Sequence, residues 1–229
     1  MNLSLEEKML EINVCENLIN KIRNLNGTFS KAFIYNFTLK EKDGFYPSIN
    51  LPHSARFLFA LQVKKSISKT KTYRFEINSN GTQHILLFIS SLLLKNVFYA
   101  FPLISDADEL SRNSPNFVSK TVFVDVSNFP STTFDSNIHV VDVDSANRNI
   151  RVFSRVKKIR KGVYWGREFI EKIKSIKGVE VWKIKEQKVS IDKCLKVFKH
   201  KGVGKNLLDE IGYDRKKLSI TVRGFFTIP

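Results

Sequence analysis

A polar pair at the end of an apolar stretch is the part of this sequence best suited to chemistry. Gln62 and Lys64 follow the residues ARFLFAL and stand two positions apart, so on a β-strand both side chains would leave one face of the sheet. The amide oxygen of Gln62 can ligate a hard cation such as Mg²⁺. The Lys64 amine can stabilise negative charge. The pair therefore predicts a reaction centre; the alternative is an exposed pair at a strand end, where a lysine discourages aggregation.

The elements that would position this pair follow from the spacing of apolar residues and from turn signals. Strands are predicted at 55–65, 73–77 and 97–104, and a helix is predicted at 82–95. Residues 40–47 are predicted to form a turn before the first of these strands. The pair would thus close a strand that is followed by a second strand, a helix and a further strand.

Over residues 40–104 the sequence resembles the PD-(D/E)xK nuclease family, which has the restriction-endonuclease-like fold. In that family a helix carries a Glu, a hairpin strand carries an Asp, and the next strand carries (E/Q)-x-K. Gln62-Val-Lys64 is similar to the last element in its Gln form, and Glu41 resembles the upstream acidic position. Where the family has its Asp, this chain has Tyr-Pro-Ser at 46–48, and Asp43 lies three residues before that stretch.

The resemblance implies cleavage of DNA with Mg²⁺, which polarises the phosphate and lowers the pKa of the attacking water. It implies that Lys64, Gln62, Glu41 and Asp43 are the catalytic residues, with Asp43 and Gln62 as metal ligands. Gln83-His84, at the start of the predicted helix, also resembles polar residues that some members place there. A restriction or phage-defence context is implied too, and homodimers are frequent in the family because duplex DNA has two strands to cut.

Positive charge is concentrated in the last third of the chain. Residues 1–150 hold 16 Lys+Arg and 14 Asp+Glu, whereas residues 151–229 hold 22 and 8. Such a basic region attracts polyanions because neutralising phosphates releases their condensed counterions. Lysines predominate, which favours contact with the backbone over reading of bases. The alternatives are a lysine-rich surface that keeps the protein soluble and a face for an acidic protein partner.

Within this basic region the densest run of cations is KKIRK at 157–161, and it is the first candidate for phosphate contact. Tyr164-Trp165 follows it, and aromatic rings interleaved with cations suit single strands or flipped bases. The alternative for this aromatic pair is a hydrophobic anchor for the next helix. The residues predicted to contact nucleic acid are Lys157, Lys158, Arg160, Lys161, Trp165 and Arg167.

Other motifs point to ordinary structural roles. Cys15 and Cys194 cannot form a disulfide framework, and the four histidines have no partner at ligand spacing. The carboxylates at Asp142-Val-Asp144 and Asp106-Ala-Asp108 can hold Mg²⁺, but Asp at strand ends and helix starts is the usual capping residue. We therefore predict caps at both places.

The whole sequence predicts an α/β protein with a mixed central β-sheet flanked by helices, restriction-endonuclease-like, and a basic C-terminal α+β region. The division falls near residue 150: residues 1–150 form the nuclease-like core, and residues 151–229 form a nucleic-acid-binding region that packs on it or forms a small lobe. The remaining predicted elements are a helix capped by Ser4 and Glu7 and closed at Asn26, strands at 31–39, 121–126, 138–143, 150–156, 179–184 and 218–226, and helices at 106–113, 167–176, 191–199 and 206–211.

No signal peptide is read at the start, which predicts a soluble cytoplasmic protein. The apolar run at 85–104 is long enough for a membrane span, but Lys95 and Pro102 interrupt it, so we predict no membrane partner. The leading functional hypothesis is a Mg²⁺-dependent DNA endonuclease that grips the phosphate backbone through residues 151–223. The alternatives are a catalytically inactive nucleic-acid-binding module on the same scaffold and an adaptor for an acidic protein.

Overall fold

The computed structural model describes residues 5–25, 31–41, 45–77, 83–130, 133, 137–153, 157–187, 196 and 219–228. The helices are α1 (Glu7–Arg23), α2 (Gln83–Leu94), α3 (Ala107–Asn113), α4 (Gly166–Lys174) and α5 (Val181–Lys185). The strands are β1 (Ala32–Glu41), β2 (Phe45–Ser48), β3 (Arg56–Val63), β4 (Ser66–Lys69), β5 (Tyr73–Ile77), β6 (Val97–Pro102), β7 (Thr121–Asp125), β8 (His139–Asp144), β9 (Asn149–Val152), β10 (Lys157–Lys158), β11 (Val163–Trp165), β12 (Val179–Glu180) and β13 (Ser219–Thr227). Short 3₁₀ turns lie at Phe117–Lys120 and Val126–Asn128.

The strands form two sheets. The central sheet has the order β11-β7-β6-β3-β13-β1-β2, and β12 pairs with the first residues of β3. Its strands are antiparallel to their neighbours except for β3 and β6, which run parallel. The second sheet is antiparallel, in the order β10-β9-β8-β5-β4. The predicted α/β class with a mixed central sheet and helices is confirmed.

The connection from β3 to β6 positions the polar pair. Parallel neighbours cannot be joined by a tight turn, and here the chain passes through β4, β5 and α2 before it returns as β6. Nine of the twelve residues of α2 are buried. A helix that is apolar on most faces is stable only when it is covered on most faces, and α2 meets this condition between the sheets.

The two faces of the central sheet have different covers. Alternate residues of β6 show the division, because Phe98 and Ala100 pack with residues of α1 and α4. Tyr99 and Phe101 pack instead with residues of α2 and of the second sheet. A side chain on one face of the central sheet therefore packs against α1 and α4, and a side chain on the other face packs against α2.

The last strand lies at the centre of the central sheet. β13 pairs with β1 over nine positions and with β3 on its other side. Phe225 packs on the side of α1 and α4, and Phe226 packs on the opposite side. β9 crosses residue 150, and β11 joins the edge of the central sheet. Residues from both sides of position 150 therefore share each sheet.

The predicted turn at 40–47 is wrong. β1 continues through Glu41 and β2 begins at Phe45, so only the stretch 42–44, which lies outside the described residues, separates the two strands. A proline is unusual inside a strand, so Pro47 favoured the turn prediction. It nevertheless belongs to β2, the edge strand of the sheet, and pairs in register with Leu39 of β1. Proline is tolerated there because an edge strand needs no amide hydrogen on its open side.

The predicted strand at 179–184 is also wrong. β12 covers only Val179–Glu180, and the chain then forms α5. Val181 and Ile184 are buried while the residues between them are exposed. A spacing of three places two residues on one side of a helix, so helical periodicity explains this segment better than alternation does.

The predicted capping box at the start of α1 is wrong in its register. α1 begins at Glu7, with Glu6 rather than Ser4 in the N-cap position. Ser4 lies outside the described residues, as do the helices predicted at 191–199 and 206–211 apart from Lys196. The apolar run at 85–104 divides into α2 and β6 as predicted, and no helix within the described residues is long and apolar enough to cross a bilayer.

Candidate functional site

Gln62 and Lys64 lie at the carboxyl end of β3. Gln62 is opposite Tyr99 in the parallel ladder with β6, and the backbone N of Lys64 donates to the Ala100 carbonyl at 2.9 Å. Ala60 packs in the core on the α2 side of the sheet. Because side chains alternate along a strand, Gln62 and Lys64 lie on that same side.

The Lys64 side chain is held in a largely buried position. The residue is 3% exposed, and its Nζ donates a hydrogen bond of 2.7 Å to Oε1 of Gln83, the first residue of α2. Burial lowers the pKa of Lys64 from its ordinary value of 10.5, and the charges of Glu7 and Glu76 oppose this shift. Among the described residues no carboxylate forms an ion pair with this lysine. The amine is therefore easier to deprotonate than a surface lysine.

Glu7 is an acidic residue at the end of β3 that the sequence did not predict there. It opens α1, and its Oε2 accepts a hydrogen bond of 3.2 Å from the backbone N of Lys65. The family pattern of a helix-borne Glu was the available signal, but α1 and its N-cap carry four glutamates. Periodicity does not tell which of them reaches the end of β3, because that contact joins residues 58 positions apart.

A chain of buried polar groups fixes the start of α2. His84 Nε2 lies 3.0 Å from the hydroxyl of Thr133, which itself donates to the Pro130 carbonyl at 2.7 Å. In a neutral His84 ring whose Nε2–H donates to Thr133, Nδ1 accepts from the Tyr99 hydroxyl at 3.1 Å. Burial raises the pKa of Tyr99 well above its usual range, which keeps the donor protonated. These hydrogen bonds tie His84, the residue after Gln83, to Tyr99 of β6.

The two predicted acidic residues occupy a different part of the sheet. Glu41 is the last residue of β1, opposite Phe45 of β2, and β13 separates β1 from β3. With neighbouring strands about 4.8 Å apart, the Glu41 backbone lies at least about 10 Å from β3. Asp43 lies outside the described residues. The structure thus brings Gln62 and Lys64 onto one face of the sheet, and Glu7 of α1 contacts the backbone of Lys65 just after the same strand.

A Mg²⁺ ion beside Lys64 would need oxygen ligands from the surrounding residues. Mg²⁺ prefers several oxygen ligands in octahedral geometry, and no cluster of three His, Cys, Asp or Glu occurs within the described residues. The oxygen that contacts Lys64 Nζ is Oε1 of Gln83, and the charges of Glu7 and Glu76 act on this lysine. The Gln83 oxygen already accepts from Lys64. Mg²⁺ at this place stays a prediction that depends on the resemblance.

The other carboxylate pairs have structural partners. Asp142 is bonded to Arg74 Nε at 3.1 Å, and Asp144 accepts from the backbone N of Ala146 and of Asn147 at 3.1 Å each. Asp106 caps α3 by accepting from the Glu109 backbone at 2.7 Å. The contacts of Asp106 and Asp144 agree with the predicted capping role, whereas Asp142 forms a cross-strand ion pair with Arg74 instead of a cap.

Four of the predicted nucleic-acid contacts form one exposed basic edge. Lys157 and Lys158 make up β10, at the edge of the second sheet, and Arg160 and Lys161 lead from there to β11, at the edge of the central sheet. All four are exposed, and none has an ion-pair partner among the described residues. Gly162 follows with φ +64, a conformation that suits glycine. We call Lys157, Lys158, Arg160 and Lys161 the basic edge.

Trp165 closes the next strand and is only partly buried. Its ring packs against the core on the α2 side, and the Arg148 guanidinium lies 5.1 Å from the ring centre. Arg148 also forms an ion pair with Glu168. Trp165 occupies the N-cap position of α4, which fits the hydrophobic-anchor alternative. Arg167 is exposed on the first turn of α4.

Strand register relates the basic edge to the lysine. Gln62 pairs with Tyr99, Tyr99 with Val124, and Val124 with Val163 of β11. Three strand spacings of about 4.8 Å place the backbone of Val163, two residues after Lys161, about 14 Å from that of Gln62. Comparisons of the chain with protein-family models, with curated proteins and with solved structures found no match.

Proposed function

We propose that this protein is a DNA endonuclease that hydrolyses phosphodiester bonds at Lys64 and holds the phosphate backbone along its basic edge. The observation that carries the proposal is the buried Lys64 amine at the end of β3, on the face of Gln62, next to the residue whose backbone N donates to Glu7. A lysine costs free energy to bury unless its charge is compensated or lost. Ionisable groups whose pKa is shifted by burial occur often at functional sites.

Phosphodiester hydrolysis adds a water oxygen to phosphorus and breaks the bond to the leaving sugar oxygen. The attacking water must lose a proton, and Lys64 is the acceptor in this proposal: burial lowers the pKa of this lysine, which makes its amine a proton acceptor more readily than a surface lysine. The resulting ammonium then stabilises the negative charge on the phosphate. Gln83, whose Oε1 accepts from Nζ, keeps the amine in a defined orientation.

The position of the basic edge suits a DNA substrate. The strand that follows the basic edge, β11, lies about 14 Å across the sheet from Gln62, which is roughly four base-pair steps of about 3.4 Å along a strand. Its four cations have no described carboxylate partner, so binding DNA would not require breaking an ion pair there. Lysine-rich contacts to phosphate fix position without reading sequence. A homodimer would provide a second centre for the second strand.

The second candidate is a nucleic-acid-binding module without cleavage activity. It is favoured by one observation, that the described residues hold no cluster of three acidic or histidine ligands. Such a protein would keep the basic edge and would use Lys64 only to tie β3 to α2. Whether Mg²⁺ supports DNA cleavage, with Asp43 and Gln62 as its proposed ligands, therefore distinguishes the endonuclease from the binding module.

The test is incubation of purified protein with supercoiled plasmid in Mg²⁺, in Mn²⁺ and in EDTA. We expect conversion to nicked or linear DNA with either metal and none in EDTA. DNA binding without cleavage under all three conditions would replace the endonuclease with the binding module. Binding of neither plasmid nor oligonucleotide would favour the adaptor for an acidic protein.

A further inference from the structure

A cavity of about 540 Å³ lies between α1, the turn at Phe117–Lys120 and α4. Its volume falls in the range of sites that bind small molecules. α1 and α4 cover the face of the central sheet opposite to α2. The cavity is therefore on the other side of the sheet from Lys64 and Gln83.

The charged residues around this cavity are mostly positive. Lys21 of α1 and Arg167 and Lys174 of α4 line it, together with the single carboxylate of Glu171. Lys174 Nζ donates to Glu171 Oε1 at 2.9 Å, so these two charges compensate each other. Lys21 and Arg167 form no ion pair with any described residue. Two uncompensated cations from different helices thus converge on one cavity.

The remaining walls are mixed. Leu25, Val118 and Ile170 supply apolar surface, and Asn24 and Ser119 supply hydrogen-bonding groups. A ligand that matches this lining has an anionic end and a flat or apolar body. The planar guanidinium of arginine binds phosphate oxygens through two parallel hydrogen bonds. The N-terminal end of α4, where Arg167 lies, adds a partial positive charge.

We propose that this cavity binds a phosphate monoester, the terminal phosphate of a nucleotide, with Arg167 and Lys21 on the phosphate and the apolar wall against the base or sugar. The nucleotide can be free or can be the 5′ end of a nucleic-acid strand. The site does not depend on the proposed cleavage at Lys64.

Isothermal titration calorimetry with adenosine 5′-monophosphate and with adenosine tests this site. We expect the nucleotide to bind at least about tenfold more tightly than the nucleoside, because charge-assisted hydrogen bonds to phosphate are lost without it. Arg167→Ala should weaken nucleotide binding at least about tenfold for the same reason. Lys172→Ala, on the same helix but outside the cavity lining, should bind like the wild type.

A second titration compares an oligonucleotide that carries a 5′-phosphate with the same strand without it. A preference for the phosphorylated strand that Arg167→Ala removes assigns the ligand to a strand end; no such preference, with the mononucleotide still bound, assigns it to the free nucleotide. Equal binding of nucleotide and nucleoside together with no effect of the 5′-phosphate would overturn the proposal. An equal loss in Lys172→Ala would overturn it as well. Lys64→Met should bind the nucleotide with the wild-type affinity, because the cavity and Lys64 lie on opposite faces of the sheet. Nucleotide binding can therefore be confirmed or refuted whether or not the protein cleaves DNA.

Discussion

At the scale of single residues, the buried Lys64 makes a prediction about stability. Since burial lowers its pKa in the folded state below the ordinary 10.5, the unfolded chain binds more protons between these two values. The contribution of Lys64 to the free energy of unfolding should therefore rise with pH across that window. Urea unfolding of wild type and Lys64→Met at pH 7 and pH 10 measures the change. A difference between the two proteins that is the same at both pH values would contradict the buried environment; Lys65→Met controls for the loss of one positive charge.

Gly224 is the second residue with a specific expectation. It lies at the centre of β13, where an added Cβ would meet Phe37 Cε1 at 2.7 Å and would also contact the Phe226 ring. Both rings belong to the packed core on the α2 side, so neither can move freely. Gly224→Ala should lower the free energy of unfolding by about 1–3 kcal/mol, as measured by chemical denaturation.

Ile228→Ala is the control for this glycine, since Ile228 is exposed just after the same strand. Its effect should stay within about 0.5 kcal/mol, as for most surface substitutions. A Gly224→Ala protein as stable as the wild type would mean that the rings do not cover this position.

At the scale of elements, β13 should be indispensable. It fills the gap between β1 and β3, and Phe225 stacks on Phe59 with ring centres 4.5 Å apart. Ending the chain after residue 217 would leave two unpaired strands at the centre of the sheet, and exposed strand edges promote aggregation. We expect the shortened protein to be insoluble or to lack cooperative unfolding by circular dichroism. Removal of only residues 228–229 is the control, and a soluble, cooperatively folded chain without β13 would refute the topology.

Local signals predicted many elements but not their neighbours. β3 and β6 are rich in aromatic residues and α2 is long and apolar, so their sequences indicate strand and helix without help from the rest of the chain. The position of β13 between β1 and β3 is a non-local pairing that no local pattern encodes. Glu7 was missed because its contact with Lys65 is also non-local and depends on how α1 packs across the sheet. β12 has two residues and α5 is a single turn, so both are too short for hydrophobic periodicity to distinguish a strand from a helix.

At the scale of the whole molecule, the basic edge predicts how DNA binding depends on salt. Each phosphate contact contributes about 0.9 to the slope of log affinity against log salt. Replacing Lys157 and Lys161 together by alanine should therefore reduce that slope by about 2, as measured by fluorescence anisotropy. The matched control replaces Lys69 and Lys183, whose charges are paired with Glu109 and Glu180. Equal slopes for the two double variants would show that DNA does not lie on the basic edge.

The central claim is that the Lys64 amine takes part in cutting DNA, and the single-turnover cleavage rate at saturating DNA tests it most directly. The account predicts that Lys64→Met lowers this rate at least about a hundredfold, the usual loss when a proton-transfer group is removed, while DNA affinity stays unchanged. Lys65→Met, one position further along the chain, should cut at nearly the wild-type rate. Cleavage by Lys64→Met at the rate of Lys65→Met, or no cleavage by the wild type with any divalent cation, would contradict the claim.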